Sequence, residues 1–185
     1  MSDIATAAGV TRQLLYFHFD SRSALLIELS RLIDVEARTP QLQATIDTAP
    51  DAVAALRTAV QVQATIKPKL YGVATGLDLL RPVDDGAAAA CREREEARLG
   101  RCRAVVDRLA AEGRLAPDWT PESAAELLWS MTSMRTWEDL VHRAGWTGAE
   151  WAQRTTAALE AALVESQGAG SPTTRSMSAP SEPRF

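Results

Sequence analysis

The sequence predicts an all-α protein, and three observations carry that expectation. Apolar residues recur at helical spacing along most of the chain, Ser, Thr and Asp stand where helices would begin, and Gly or Pro stands where they would end. No segment alternates apolar and polar residues as a half-buried strand does, and no internal repeat is present. Hydrophobic residues make up 46% of the chain, enough to bury a core. No apolar run approaches the roughly 20 residues that a membrane span needs, and Met1 is not followed by a secretory leader, so a cytoplasmic protein without membrane contact is expected.

Residues 4–26, IATAAGVTRQLLYFHFDSRSALL, predict two short helices joined by a glycine turn and followed at once by a third. Ile4, Ala5, Ala8, Val10, Leu15, Phe19, Leu25 and Leu26 fall on one collectable apolar face. Gly9 stands where the turn needs φ > 0, and Thr11 and Ser21 offer hydroxyls to cap the next two helices. Between those caps Thr11, Arg12, Gln13, Tyr16 and His18 crowd hydrogen-bonding groups onto a short surface, the pattern of a helix that enters a DNA major groove. Arg suits guanine and Gln suits adenine; Leu14 is placed to meet a thymine methyl or to pack.

The third helix is expected from Ser21 to about Arg38, carrying Leu25, Leu29, Leu32 and Val35, with Thr39-Pro40 as its stop. An alanine-rich helix from Asp51 carries Val53, Leu56, Val60 and Ile66 and is expected to stop near Pro68; a short one with Tyr71, Val73, Leu77 and Leu80 ends at Arg81-Pro82. From Asp84 a long helix runs to about Glu112 and closes at Gly113. Its Arg92, Glu93, Arg94, Glu95, Glu96, Arg98, Arg101 and Arg103 predict a solvated face laced with ion pairs. Thr120-Pro121-Glu122 opens a helix to about Arg143, with a stop at Gly145. Thr147-Gly-Ala-Glu150 is a capping box for the last helix, flanked by Trp146 and Trp151 at hydrophobic-staple positions. Beyond Gln167 the composition predicts disorder.

The segment Asp3-Ile4-Ala5, Ala8-Gly9-Val10-Thr11, Leu15-Tyr16-Phe17-His18-Phe19, Ser21-Arg22 and Leu25-Leu26 resembles the helix-turn-helix of TetR-type transcriptional regulators, down to the Tyr-x-His-Phe end of the recognition helix. A looser resemblance, to the regulatory domain of one TetR-type branch, runs from Gly113 through Trp119, Leu128-Trp129 and Leu140-Val141-His142 to Gly145-Trp146-Thr147. The resemblance implies a homodimer that binds operator DNA as a repressor and is released by a small-molecule effector. Recognition helices would then sit about one DNA turn apart, ~34–36 Å. It implies Thr11, Arg12, Gln13, Leu14, Tyr16, His18 and Arg22 as the DNA-binding set, with Tyr16, His18 and Arg22 at phosphate-contacting positions; His18 also suits a cap or a structural group. In such proteins a further helix precedes this point and packs across the other two. Met1 falls inside the family's second helix, so an incomplete DNA-binding domain is expected, with Ile4, Leu15 and Leu26 short of part of their cover. The competing expectation is a dimeric small-molecule-binding or interaction module without competent DNA binding.

The expected organisation is an incomplete helix-turn-helix domain over 1–38, a ligand-binding and dimerisation domain over 39–166, and a disordered tail over 167–185. Helical spacing puts Leu127, Met131, Met134 and Val141 on one face and Ser130, Trp137 and Leu140 on another. An apolar effector pocket is expected where these meet Gln63, Tyr71, Leu77, Asp78 and Arg135, so that its set is Gln63, Tyr71, Leu77, Asp78, Met131, Met134, Arg135 and Trp137.

No Gly-rich phosphate loop, HExxH, or Ser-His-Asp or Cys-His arrangement is present, so neither an enzyme nor a bound cofactor is expected. Cys91 and Cys102 lie eleven residues apart on one predicted helix, about 16 Å along its axis, which is too far for a disulfide. With only His18 and His142 elsewhere, no metal site is expected. The net charge of −4, with Arg12 the sole cationic side chain in residues 1–20, predicts weak electrostatic attraction to DNA.

Overall fold

The computed structural model describes residues 1–165, so the tail expected beyond Gln167 lies outside the described residues. The helices are α1 (Ser2–Ala8), α2 (Arg12–His18), α3 (Arg22–Glu36), α4 (Thr39–Asp47), α5 (Ala52–Leu80), α6 (Asp85–Ala111), α7 (Pro121–Met131), α8 (Met134–Trp137) and α9 (Gly148–Leu163), with a π-helical stretch over Glu138–Arg143. No described helix is long and apolar enough to cross a membrane.

The caps stand where the sequence puts them. Thr11, Ser21, Asp51, Asp84 and Thr120 each accept from the backbone N–H three residues on. Thr147 and Glu150 close the capping box reciprocally, which holds the Glu150 carboxyl below its usual range. Gly9 turns α1 into α2 at φ 67°, a conformation that a Cβ would strain.

Three expectations are corrected. Thr39-Pro40 does not merely end α3; it opens α4. Arg38 turns the chain at φ 52°, and proline is tolerated in a first helical turn, where its missing N–H would have no partner. Pro68 does not stop a helix either. Val60, Val62, Ile66, Leu70, Val73 and Leu77 are all buried along α5, and burying each such side chain is worth about 1.5–3 kcal/mol against a proline cost of about 3. The packing face therefore carries one helix through.

The helix expected from Pro121 to Arg143 breaks instead at Thr132-Ser133. Thr132 turns its hydroxyl onto the Leu128 carbonyl at 2.6 Å, and Ser133 caps a new helix through the Thr136 N–H. A minimal antiparallel bridge, absent from the sequence reading, joins Leu115 to Val164.

α5 is the central element, packed against α3, α4, α6 and α9, while α7 packs on α6. The main core gathers Leu56, Val60, Val106, Leu109, Leu128, Leu159 and Leu163, with Trp137 edge-on to Trp151 at 5.0 Å. Trp151 thus pairs with Trp137, while Trp146 lies under the guanidinium of Arg154 at 4.8 Å. A second, smaller core joins Leu26 of α3 to Val73 and Leu77 of α5 and Ala87 of α6. Leu26 takes its cover there and is only 9% exposed, whereas Ile4 and Leu15 are half-buried.

Candidate nucleic-acid interface and regulatory cavity

α2 buries none of its residues. Thr11, Arg12, Gln13, Leu14, Tyr16 and His18 are all exposed on it, and Arg22 is exposed at the start of α3. The Arg12 guanidinium lies 5.3 Å from the centre of the Tyr16 ring one turn on, so the helix pre-positions a cation over an aromatic face. Phe17, 82% exposed, packs edge-on against His18. All seven residues singled out for DNA contact therefore lie on one exposed segment that a glycine turn and two caps orient.

That segment is tied to the rest of the protein through α3 and α6. The Ser23 hydroxyl donates to Asp84 Oδ2 at 2.8 Å, while Asp84 Oδ1 accepts from the Ala87 N–H at 2.8 Å. One carboxylate thus caps α6 and holds the first turn of α3; the Ala87 amide and then the Ser23 hydroxyl pull its pKa down. Further along, Arg94 of α6 donates to Asp34 at 3.1 Å and to Ser30 at 3.3 Å on α3.

The eight residues expected to line an effector pocket do not converge on one cavity. Leu77 belongs to the small core under α3, and Asp78 is exposed beside Arg81. Trp137 is 2% exposed inside the main core, and Arg135 faces solvent. Met131 and Met134 are half-buried against that core, and Tyr71 stacks on His142 at 4.1 Å. Gln63 alone among them lines a small cavity of about 20 Å³ between α4, α5, α6 and α7.

Its other walls include Gln43, Ile46, Arg98, Arg101, Cys102 and Thr132. The sequence reading missed it for two reasons. The sequence predicts no helix where α4 lies, and it predicts a solvated face for the Arg/Glu run of α6, whereas Arg98 is buried at 8% exposure. A signal was present: Arg98, Cys102 and Val105 repeat at helical spacing, so Arg98 shares the buried face.

Residues 1–29 match the family described as bacterial regulatory proteins, tetR family. The whole fold is similar to the crystal structure of a Rhodococcus sp. protein assigned to the TetR-family transcriptional regulators, with a TM-score of 0.60 and 15% identity over 88% of this chain and 86% of that one. No curated protein sequence matches the chain. The helix-turn-helix match and the shared fold support a DNA-binding transcriptional regulator. Residues 1–29 thus resemble the helix-turn-helix of that family, and the fold is one that a TetR-family regulator shares.

Proposed function

We propose that the protein is a homodimeric repressor that reads an operator with α2 and is released by a small-molecule effector. The observation that carries the reading is α2 itself: a capped helix that buries nothing and displays Arg12, Gln13, Leu14, Tyr16 and His18 together. Arg12 and Gln13 stand in the first turn, where base edges are met; Tyr16, His18 and Arg22 are assigned to phosphates. In this reading 1–38 is the DNA-binding part and 39–166 the ligand-binding and dimerisation part, and the left-handed turn at Arg38 supports a boundary there. Pairing of α7 and α9 with their copies forms the dimer in this reading. The exposed groove of about 560 Å³ between α5 and α9, lined by Gln61, Ala149, Gln153 and Ala157, leaves room for a partner beside α9.

Effector control runs through α6 in this reading, because one helix both lines the cavity and holds α3 by Asp84 and Arg94. A ligand that binds one arrangement of α6 better than the other shifts the populations of the DNA-competent and DNA-incompetent states. The test is fluorescence anisotropy on DNA from upstream of the gene, with unrelated DNA as control and a salt series. Specific binding lost on Arg12→Ala or Gln13→Ala supports the reading. Equal affinity for both DNAs, or specific binding indifferent to both substitutions, overturns it.

A further inference from the structure

The outermost aromatic ring on α2 belongs to a residue outside the polar set. Phe17 is 82% exposed, against 45% for Leu14 and 44% for Tyr16. Leu15, the one half-buried residue of α2, marks the direction of the protein interior. At about 100° of turn per residue, Gln13 and Phe17 each lie within ~20° of the opposite direction, while Leu14 and Tyr16 stand ~80° to either side. The two residues that project farthest are therefore Gln13 and, one turn on, Phe17. An edge-on contact with the His18 ring, centroids 5.1 Å apart, steadies the phenyl group.

The surroundings of that ring suit a polyanion. No carboxylate occurs from Ile4 to Phe19, and Arg12 and Arg22 stand on either side of Phe17 in the chain. A phenyl ring has no group to donate to a phosphate, so its gain must come from burial against something apolar. On the floor of the major groove, where the outermost side chain of an entering helix arrives, the base edges offer one apolar group, the 5-methyl of thymine.

We propose that Phe17 is a specificity-determining residue that reads thymine, its ring packing on the 5-methyl group beside the adenine that Gln13 pairs with. The inference rests on α2 being the operator-reading helix, and it names what that helix selects. Gln13 and Phe17 are four residues apart, about 6 Å along the axis, so at ~3.4 Å per base-pair step the thymine falls within two base pairs of the adenine. Gln13 accepts and donates at adenine, while Phe17 demands the methyl that cytosine and guanine lack. Leu14, turned to the side, is not the residue that makes this contact. The contact adds no charge, so it governs sequence choice and leaves the salt dependence of binding alone.

In the experiment, the full chain selects its preferred duplex from a random-sequence pool. Fluorescence anisotropy then compares that duplex with a copy carrying deoxyuridine for thymine, which removes the 5-methyl groups alone. The parent protein should bind the uracil duplex about fourfold more weakly for each methyl contacted, the worth of one buried carbon. Phe17→Ala should bind the two duplexes equally, keep the parent's salt slope and melt within about 2 °C of it, as befits an exposed position. Phe17→Leu, still apolar, should recover part of the thymine preference. Equal parental affinity for the two duplexes, an undiminished thymine preference in Phe17→Ala, or a selected half-site without A·T pairs overturns the contact and leaves the operator reading of α2 standing. Selection of no sequence overturns both. A Phe17→Ala protein that loses self-association and keeps its thymine preference assigns the ring to a second copy of the chain, and likewise overturns the proposal.

Discussion

Replacing Lys67 by methionine should stabilise the protein, and by an amount that depends on pH in a definite way. The Lys67 ammonium is 3% exposed and its pKa falls from 10.5 to about 7. At about 1.4 kcal/mol per unit, that depression amounts to roughly 5 kcal/mol of folding free energy withheld wherever the unfolded chain carries the proton and the folded chain resists it. Below about pH 7 both states are protonated and the penalty is full. As pH rises from 7 toward 10.5 the folded lysine is neutral while the unfolded one still binds its proton, so stability climbs with pH. Lys67→Met keeps the unbranched chain and its packing and removes the charge. At pH 7 it should therefore gain about 2–5 kcal/mol, seen as a rise in midpoint of roughly 5–20 °C for a chain of this size. The assay is circular dichroism melting of both proteins at pH 7 and at pH 9.5 to 10, where the two curves should approach each other. A variant less stable than the parent at pH 7, or a gap that does not narrow with pH, would refute the burial argument.

Ser23→Ala should cost about 1 kcal/mol in denaturant melts and, if α6 carries the signal, weaken the response of operator affinity to effector, because it cuts the bond from α3 to Asp84. Arg12→Ala should lose about 1–3 kcal/mol of discrimination per half-site, read by competition between operator and single-base variants. With Arg22 the main phosphate cation in each subunit, operator binding should show a shallow salt slope of about −2 for a dimer, measured by anisotropy from low to moderate salt. Trp137→Ala should destabilise by about 3–5 kcal/mol in denaturant titration, since the ring is fully enclosed and packed edge-on against Trp151. The carboxyls of Asp84, Glu112 and Glu150 are all held below the usual range by backbone amides. Their contribution is complete above the ordinary carboxylate range and disappears as pH falls through their folded values. Glu112→Gln should therefore flatten part of the acid limb of a stability–pH profile.

In the proposed reading, the contacts between α3 and α6 would give regulation its route. α6 is held to α3 at its first turn by Asp84 and farther along by Arg94, and the cavity begins one turn later at Arg98. Arg98 is fixed there by its bonds to the Trp129 carbonyl and the Thr132 hydroxyl. Any shift of α6 would reach Asp34 and Ser23 through a single rigid element.

The features legible in the sequence were those with local causes. Thr11, Ser21, Asp51, Asp84, Thr120 and Thr147 cap the helices that follow them because a short side-chain oxygen reaches an N–H three residues on whatever the rest of the chain does. Gly9 makes its turn for the same kind of reason. The exposed face of α2 could be read directly, since an exposed helix needs no partner to define it. Tertiary structure alone decided whether Pro68 would break α5, whether Thr39-Pro40 would end a helix or begin one, and where the helix after Pro121 would split. Each pits a local preference of a few kcal/mol against burial summed over a whole face. It also decided that Arg98 and Lys67 lie inside: their charge argues for the surface, and only the packing of α5, α6 and α7 around them outweighs that preference.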